Sequence, residues 1–249
     1  MDISGKRILI TGGAGNFGQF LCNHFLTLDV GKVILIDLDF HLVDDQIKNS
    51  SKVDLHICDL RKSNEVSSVV STIFAEGPVD VLINNAGYIH SEPLINLLNR
   101  DNPVHSIEQW NKTITLNLTT CFTVSGYVAS HMAKKRSGGV IINVSSIAAK
   151  GNMGQTAYSA AKAGIEAMTK VWSKELGMFK IRVACIAPGF IDTPSTHGSL
   201  SEVVVDRWKK SVSIGRLGKL EEIGTAIQFI IQNDYVNGTV ISIDGGLTI

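Results

Sequence analysis

Seven short runs of apolar, mostly β-branched residues recur along the chain, and longer stretches with apolar residues at helical spacing separate them. Each run is continuously apolar, which is typical of strands buried on both faces of a parallel sheet. The runs are Arg7–Ile10, Lys32–Ile36, Val53–Ile57, Val79–Ile83, Val140–Val144, Ile181–Ile186 and Thr239–Ile243. Their regular alternation with helical stretches predicts an α/β fold, a doubly wound seven-stranded parallel sheet with helices on both faces.

Five stretches between the runs carry the helical spacing of apolar residues. They are Phe17–Leu28, Asn64–Ala75, Ile107–Ala133, Ala157–Met178 and Glu221–Ile231. The chain holds five prolines, and no low-complexity run or internal repeat interrupts the pattern. We therefore expect residues 1–249 to form one domain. Two long connections break the rhythm, and we expect a substrate loop at 88–107 and a lid at 192–217.

Composition argues against several kinds of partner and site. The 23 basic residues balance the 23 acidic residues, so charge gives no reason to expect a nucleic acid or a membrane as partner. The four cysteines and seven histidines show no metal-ligand spacing, and we assign no metal site. The start, MDISGKRILI, lacks the features of a signal peptide, and no apolar run reaches the ~18 residues of a membrane span. We expect a cytoplasmic protein.

The first strand runs into a glycine-rich turn, TGGAGNFG, ahead of the first helix. Gly13, Gly15 and Gly18 satisfy the G-x-G-x-x-G pattern, whose glycines allow a tight turn and close approach of the backbone to a pyrophosphate. The amino end of the following helix offers free N–H groups to that anion. The turn therefore predicts a dinucleotide site, and Gly12, Gly15 and Gly18 also fit the related G-x-x-G-x-x-G phasing.

Asp37 ends the second strand, about 20 residues beyond the glycine turn. A carboxylate at this place accepts the ribose hydroxyls of NAD and repels the 2′-phosphate of NADP. Neither Leu38 nor the turn supplies an Arg or Lys for that phosphate, so the sequence favours NAD. Asp59 ends the third strand, where it is placed to touch the adenine, although a helix-capping aspartate has the same appearance in a sequence.

Tyr158 and Lys162 lie four residues apart near the start of a helix rich in small residues. This spacing places both side chains on one helix face. An ammonium group there stabilises a tyrosinate, so we expect it to lower the pKa of the phenol from its ordinary value of about 10. A phenol whose pKa lies nearer the working pH is a usable general acid or base.

These features occur in a fixed order with several others. The others are the NNAG of Asn84–Gly87, Asn117 in TLNL, Ser145 in INVSS, Pro188-Gly189 followed by Thr193, and NGTVISIDGG near the end. In this order they resemble the short-chain dehydrogenase/reductase family over essentially the whole chain, in its short single-domain branch with a Rossmann-type sheet. Within that branch the chain resembles 3-oxoacyl-thioester reductases and hydroxyacyl or hydroxysteroid dehydrogenases.

The resemblance implies a role for each motif. Tyr158 passes a proton to or from the substrate oxygen, and Ser145 hydrogen-bonds that same oxygen. Lys162 holds the nicotinamide ribose and tunes Tyr158, while Asn117 completes a proton relay through water. The implied cofactor-binding residues are Gly12, Gly15, Asn16, Phe17, Gly18, Asp37, Asp59, Leu60, Asn85, Ala86, Gly87, Tyr158, Lys162, Pro188, Gly189, Ile191 and Thr193.

Asn16 departs from the family pattern, which usually has glycine at that place. Asparagine adopts the left-handed backbone more readily than most residues, so we expect the turn to survive the change. The phasing of Gly12, Gly15 and Gly18 resembles the longer, epimerase-like branch of the family. A chain of 249 residues is too short for the additional substrate domain of that branch.

The resemblance implies an NAD-dependent oxidoreductase that interconverts a secondary alcohol and a ketone. A 3-oxoacyl or 3-hydroxyacyl thioester is the favoured substrate, and a steroid, a cyclic alcohol or a sugar derivative is the alternative. A non-catalytic NAD-binding sensor or partner protein is a further alternative, although the intact Tyr158, Lys162 and Ser145 count against it. An epimerase or dehydratase rests only on the glycine phasing. Low charge, 18% of residues, and helix faces rich in small residues favour self-association, and the family resemblance implies a homotetramer or homodimer.

Overall fold

The computed structural model describes residues 1–193 and 202–247. Its strands are β1 (Arg7–Thr11), β2 (Lys32–Asp37), β3 (Val53–Ile57), β4 (Val81–Asn84), β5 (Gly139–Val144), β6 (Ile181–Pro188) and β7 (Val240–Ile243). They form one seven-stranded sheet in the order β3-β2-β1-β4-β5-β6-β7, and every neighbouring pair is parallel. The structure confirms the predicted sheet, with each strand limit within two residues of its apolar run.

Helices cover both faces of the sheet. They are α1 (Asn16–Leu26), α2 (Asp45–Lys48), α3 (Ser63–Glu76), α4 (Ile107–Ile114), α5 (Thr120–Lys135), α6 (Thr156–Glu175), α7 (Glu202–Ser211) and α8 (Leu220–Gln232). Alternate residues of β1 face opposite layers, as the pleat of a strand requires. Ile8 and Ile10 pack with Phe25 of α1 and with α8, whereas Leu9 packs with Val70 of α3 and with α5. The sheet is therefore buried on both sides.

The long helix predicted over 107–133 is divided in the structure. A π-helical segment, Thr115–Thr119, separates α4 from α5. The buried side chain of Asn117 lies in this segment, and its amide nitrogen donates to the carbonyl oxygen of Thr113 at 2.9 Å. A side chain that occupies a helix carbonyl is one of the known causes of such irregular turns. Apolar spacing alone does not reveal this interruption, because both flanking helices keep their buried faces.

The predicted substrate loop, 88–107, is folded on itself. Ile95 and Val104 form an antiparallel bridge, and the backbone N–H of Glu92 donates to the carbonyl of Gly154 at 2.7 Å. The Glu92 carboxylate accepts a hydrogen bond from the backbone N–H of Ser106 at 3.0 Å. The predicted lid, 192–217, is described only in part, because residues 194–201 lie outside the described residues. In its described part, α7 occupies Glu202–Ser211.

The topology fixes where a ligand can bind. The strand order reverses between β1 and β4, so the connections that follow these two strands diverge to opposite sides of the sheet. A crevice forms at such a reversal, at the carboxyl ends of the strands. Within the described ranges, no helix is long and apolar enough to cross a membrane.

Candidate active site

Two adjoining cavities lie at the carboxyl ends of the strands. The glycine-loop cavity, of about 560 Å³, includes these predicted residues: Gly12, Gly15, Asn16, Phe17, Asp37, Asp59, Leu60, Asn85, Ala86, Gly87 and Thr193. The tyrosine cavity, of about 680 Å³, includes Phe17, Asn85, Gly87, Ser145, Tyr158, Lys162, Pro188, Gly189, Ile191 and Thr193. Residues such as Phe17 and Gly87 line both cavities, so the two are parts of one crevice. Of the predicted site residues, only Gly18 and Asn117 line neither.

The glycine turn leaves no room for side chains at three of its positions, Gly12, Gly13 and Gly18. Gly12 has φ +67°, and a Cβ atom added there would lie 2.8 Å from the Cα of Ala86. A Cβ atom on Gly18 would overlap the carbonyl oxygen of Gly12. Gly18 therefore serves the close packing of the turn and does not line the cavity. A bare backbone at the amino end of α1 is the cradle that a pyrophosphate needs. The turn therefore fits a dinucleotide.

The expectation that Asn16 occupies a left-handed turn position is wrong. Asn16 is the first residue of α1, and Gly15, with φ −71° and ψ 161°, is its extended N-cap. Asn16 does not have a positive φ angle. Asparagine in place of the usual glycine therefore does not have to adopt the left-handed backbone. The turn keeps its geometry because the residue with the positive φ angle is Gly12, and glycine adopts that angle readily.

Thr11 joins the glycine turn to the NNAG segment after β4. Its hydroxyl oxygen accepts hydrogen bonds from the backbone N–H groups of Asn85 and Ala86, each at 3.1 Å. The side-chain amide of Asn85 donates in return to the carbonyl oxygens of Thr11 and Gly12, at 3.0 and 3.1 Å. These four bonds hold the two walls of the glycine-loop cavity at a fixed separation.

Asp37 is held at the end of β2 by main-chain donors. One carboxylate oxygen accepts from the N–H of Ala14 at 2.9 Å, and the other accepts from the N–H of Leu38 at 2.7 Å. The carboxylate therefore sits between the glycine turn and the rim of the cavity, where ribose hydroxyls would meet it. This position agrees with the expected role of Asp37.

Arg61 brings a cation to the glycine-loop cavity that the sequence analysis overlooked. Its guanidinium forms two hydrogen bonds with the carboxylate of Asp59, at 2.8 and 2.7 Å. These bonds hold the pKa of Asp59 below its ordinary value. The pairing offsets part of the positive charge that a phosphate at this place would meet, and the Arg61 side chain is 54% exposed.

Asn117 is fully buried and bonded to main-chain atoms. Its amide nitrogen donates to the carbonyl oxygen of Tyr88 at 2.8 Å, and its amide oxygen accepts from the N–H of Tyr88 at 3.2 Å. A Cβ atom on Gly87 would lie 2.9 Å from that amide oxygen and 3.6 Å from the ammonium nitrogen of Lys162. Asn117 thus fixes the backbone of Gly87 and Tyr88 against the ammonium group.

Tyr158 and Lys162 lie together on α6, as their spacing predicts. The ammonium nitrogen of Lys162 is 5.5 Å from the centre of the Tyr158 ring and donates to the carbonyl oxygen of Val144 at 2.9 Å. Burial lowers the pKa of Lys162 from 10.5 to about 8. Burial also raises the pKa of Tyr158 to about 12, and a hydrogen bond with the side chain of Ser146 acts in the opposite direction.

The expectation of a lowered phenol pKa is therefore wrong for this geometry. Both groups are almost fully enclosed, so loss of hydration disfavours the tyrosinate and the ammonium alike. At neutral pH Tyr158 is a neutral phenol that can donate a proton, and Lys162 is still mainly protonated. This pairing suits a general acid supported by a buried positive charge.

Two adjacent serines follow β5, and the structure gives them different partners. Ser145 continues the strand pairing, with its N–H donating to the carbonyl of Ile186 at 2.7 Å. Its hydroxyl oxygen lies 3.0 Å from the carboxylate of Glu166 and 3.2 Å from the carbonyl oxygen of Lys162, and these two acceptors share its single proton. The hydroxyl oxygen of Ser146 instead accepts from the N–H of Ala148 at 3.1 Å, and the Ser146 side chain acts to lower the pKa of Tyr158. Both serines line the tyrosine cavity, but Ser146 is the one whose side chain acts on the phenol.

Sequence reasoning missed Ser146 because the doubled serine offers two candidates one residue apart. The available signal was the parity of β5, since successive side chains along a strand face opposite sides. It also missed Trp208, an α7 residue that lines the tyrosine cavity. In the described part of the chain, no group of three His, Cys, Asp or Glu side chains could hold a metal ion.

Comparison with known proteins adds independent evidence. The model of the short chain dehydrogenase family matches residues 6–203. A 3-oxoacyl-[acyl-carrier-protein] reductase of Chlamydia muridarum is 38% identical over 97% of both chains. The protein of the same name from Thermotoga maritima is 37% identical over 100% of both chains. An acetoacetyl-CoA reductase of an Acinetobacter strain is 32% identical over 97% of both chains.

Fold and site together define a class, the α/β oxidoreductases that bind a dinucleotide at the carboxyl ends of a parallel sheet. The family match extends over most of the sequence, and the similarity to these relatives runs from end to end. The chain belongs to the short-chain dehydrogenase family.

Proposed function

We propose that the protein reduces a 3-oxoacyl thioester to the 3-hydroxyacyl thioester, with NADH as the reductant. The observation that carries the proposal is the neutral phenol of Tyr158, beside Ser146 and the buried Lys162, in a cavity continuous with the glycine-loop cavity. The substrate class is supported by the names of the relatives, two of which act on 3-oxoacyl carrier-protein substrates and one on acetoacetyl-CoA.

Proton transfer is the part of the reaction that this chain's own residues perform. The bound dinucleotide supplies the hydride that reaches the carbonyl carbon. Tyr158 donates its phenolic proton to the carbonyl oxygen, which becomes the hydroxyl of the product. The ammonium of Lys162 stabilises the tyrosinate that remains, and a proton from solvent then restores the phenol.

We assign the second contact to the substrate oxygen to Ser146 rather than Ser145. Ser146 and Tyr158 line the same cavity, and the Ser146 side chain acts to lower the pKa of the phenol, so an oxygen that accepts a proton from Tyr158 lies within reach of both groups. Ser145, whose hydroxyl proton is shared by Glu166 and the Lys162 carbonyl, anchors β5 to α6. Asn117 acts as a positioning residue for Gly87 and Tyr88, since main-chain partners occupy its amide.

The preference for NADH over NADPH rests on the negative charge at the rim of the glycine-loop cavity. The carboxylate of Asp37 is fixed there by two main-chain donors, where it accepts ribose hydroxyls and opposes a 2′-phosphate. The one cation nearby, Arg61, is paired with Asp59 among the residues that the structure describes. Binding of NADPH would place that phosphate against a carboxylate.

The decisive experiment measures oxidation of NADH and of NADPH by acetoacetyl-CoA, for the wild type and for Tyr158→Phe. We expect turnover with NADH, much slower turnover with NADPH, and loss of about 10²–10⁴-fold in kcat for the variant, which lacks the proton donor. Binding of NADH without turnover of acetoacetyl-CoA would overturn the thioester assignment. Steroids, cyclic alcohols and sugar derivatives would then be the substrates to test.

We propose in addition that the protein assembles as a homotetramer through α5 and α6. Phe122 on α5 and Val171 on α6 are large apolar side chains left 59% and 49% exposed, and the rings of Phe122 and Trp172 lie 6.5 Å apart across the two helices. Exposed apolar patches of this kind are typical of interfaces between copies. Light scattering after gel filtration tests the assembly, and a monomeric mass at micromolar concentration would contradict it.

A further inference from the structure

The tyrosine cavity has one wall made of stacked aromatic rings. The rings of Phe190, which follows β6, and Trp208, on α7, have centroids 4.0 Å apart and planes only 5° from parallel. Both side chains line the cavity, next to Ile147 and Ala148. These four residues are here called the aromatic wall. It offers flat apolar surface and no charge, which suits a hydrocarbon chain.

The aromatic wall is held from behind. Phe190 packs against a buried cluster of Ile147, Val212 and Leu247. Just beyond α7, the hydroxyl of Ser213 donates to the carbonyl of Gly246 at 2.7 Å, and the N–H of Ile214 donates to the carbonyl of Gly245 at 3.2 Å. The segment that follows α7 is therefore tied to the turn after β7, which holds the carboxyl end of the helix beside the cavity.

A second part of the cavity lining is polar. The amide of Asn152 donates to the side-chain oxygen of Gln155 at 2.9 Å, and the amide of Gln155 donates to the hydroxyl of Ser91 at 3.2 Å. All three line the cavity, and Lys162 is the single charged residue in its described lining. A 3-oxoacyl thioester has one polar arm, with its thioester and amide groups, and one hydrocarbon arm. The two kinds of lining match these two arms.

We propose that the aromatic wall receives the hydrocarbon arm and stops it, so that the enzyme prefers short-chain 3-oxoacyl thioesters, with Trp208 setting the limit. This inference rests on the proposed function. The cavity of about 680 Å³ must hold both the reacting end of the dinucleotide and the acyl group. Because Phe190 is packed against a buried cluster and Trp208 stacks on it, extra methylene groups meet these rings and would have to displace them.

The test compares acetoacetyl, 3-oxooctanoyl and 3-oxododecanoyl thioesters as substrates. We expect the wild type to have its highest kcat/KM with acetoacetyl and at least about a tenfold lower value with 3-oxooctanoyl. Trp208→Ala opens the wall and raises the octanoyl-to-acetoacetyl ratio by about tenfold, and Trp208→Leu, which keeps apolar bulk without the flat ring, raises it less. Tyr235→Ala, a matched loss of a fully exposed ring, leaves the ratio unchanged.

A binding measurement separates chain-length selection from turnover. Calorimetry with butyryl and octanoyl thioesters, which cannot be reduced, should show the same shift of preference in Trp208→Ala. A folded variant that still turns over acetoacetyl thioester with an unchanged chain-length ratio would overturn this inference and leave the proposed function intact. Equal kcat/KM of the wild type for all three substrates would do the same. Absence of any thioester turnover would instead remove the proposed function itself.

Discussion

The two cavities of the site are held together by different kinds of interaction. Around the glycine-loop cavity, main-chain atoms make most of the contacts that fix its shape. They are the backbone of Gly12, the N–H groups that donate to Asp37, and the N–H groups that donate to the hydroxyl of Thr11. Around the tyrosine cavity, buried side chains such as Tyr158 and Lys162 carry the chemistry. A cavity formed by main-chain atoms tolerates most substitutions other than those of its glycines. A cavity formed by side chains depends on single polar atoms.

The largest effect is expected from Lys162→Met. Loss of the ammonium group removes the charge that supports the tyrosinate, so kcat/KM should fall by about 10²–10⁴-fold. The melting temperature should stay the same or rise, because burial of this cation is costly, as its lowered pKa of about 8 shows. Steady-state kinetics and thermal unfolding measure the two quantities. Lys170→Met, an exposed change on the same helix, is the control, and a matching loss of activity there would contradict the assignment.

Next in size is the contrast between the two serines. Ser146→Ala should lower kcat by about 10²–10³-fold, the range found when one donor to a developing negative charge is removed, with little change in melting temperature. Ser145→Ala should instead cost about 1–3 kcal/mol of unfolding free energy, because Glu166 loses its hydroxyl donor, and should leave more of kcat. Denaturant unfolding and kinetics together decide the matter. A reversed ranking of the two kcat values would restore Ser145 as the contact to substrate.

A smaller effect is expected at the backbone-built cavity. Asp37→Ala removes the carboxylate that accepts the ribose hydroxyls and that two main-chain donors hold in place. Because that contact is lost, kcat/KM with NADH should fall by about 10–100-fold, equivalent to one charged hydrogen bond. The value with NADPH should fall much less or rise, since the repulsion of the 2′-phosphate is gone. Asp39→Ala, an exposed change on the same turn, provides the control. An unchanged ratio of the two cofactors would show that Asp37 does not select between them.

The smallest effect concerns pH. Lys162 carries its charge below its pKa of about 8, so the rate of reduction should be constant near neutral pH and fall by about half at pH 8. Tyr158, with a pKa of about 12, should contribute no further loss below about pH 10. A kcat profile from pH 6 to pH 10 checks this, and a flat profile would contradict the assignment to Lys162.

Above about pH 8 the free energy of unfolding should rise with pH, whereas the rate of reduction should fall. The pKa of Lys162 is lower in the folded protein than its ordinary value of 10.5, so the unfolded chain binds more protons between about pH 8 and pH 10.5. The contribution of this group to the free energy of unfolding therefore increases as pH rises through that window. Lys162→Met should lack this contribution, which denaturant titrations of both proteins at two pH values would show.

The sheet and the backbone-built cavity could be predicted from the sequence because their signals are local. Seven apolar runs define the strands, and the glycines mark where a Cβ atom cannot fit. Strand alternation shows that Ser145 and Ser146 face opposite sides, but β5 is buried on both faces, so the sequence does not show which of the two hydroxyls meets Tyr158. The pairing of Arg61 with Asp59 and the stacking of Trp208 on Phe190 depend on side-chain directions that no spacing rule contains.

Burial explains why the expected lowering of the pKa of Tyr158 is wrong. The four-residue spacing of Tyr158 and Lys162 correctly places them on one face of α6, but spacing says nothing about hydration. In the folded protein both side chains are enclosed by neighbouring elements, and the loss of water is the largest cause of both pKa shifts. A pKa is therefore a property of the assembled site and cannot be assigned to a motif.

The π-helical segment at Thr115–Thr119 has a consequence for how the gene can change length. A π-helical turn holds about one residue more than an α-helical turn, so deletion of a single codon there would close it to ordinary helix while α4 and α5 keep their present faces. Val124, Val128 and Met132 would still cover the sheet, but Asn117 would lose the wide turn that places its amide against Thr113 and Tyr88. Between the bridged residues Ile95 and Val104, the tip of the loop exposes Leu97 and Leu98 and can change length without altering the wide turn. Insertions and deletions among descendants of this gene should therefore accumulate at this tip and spare residues 115–119.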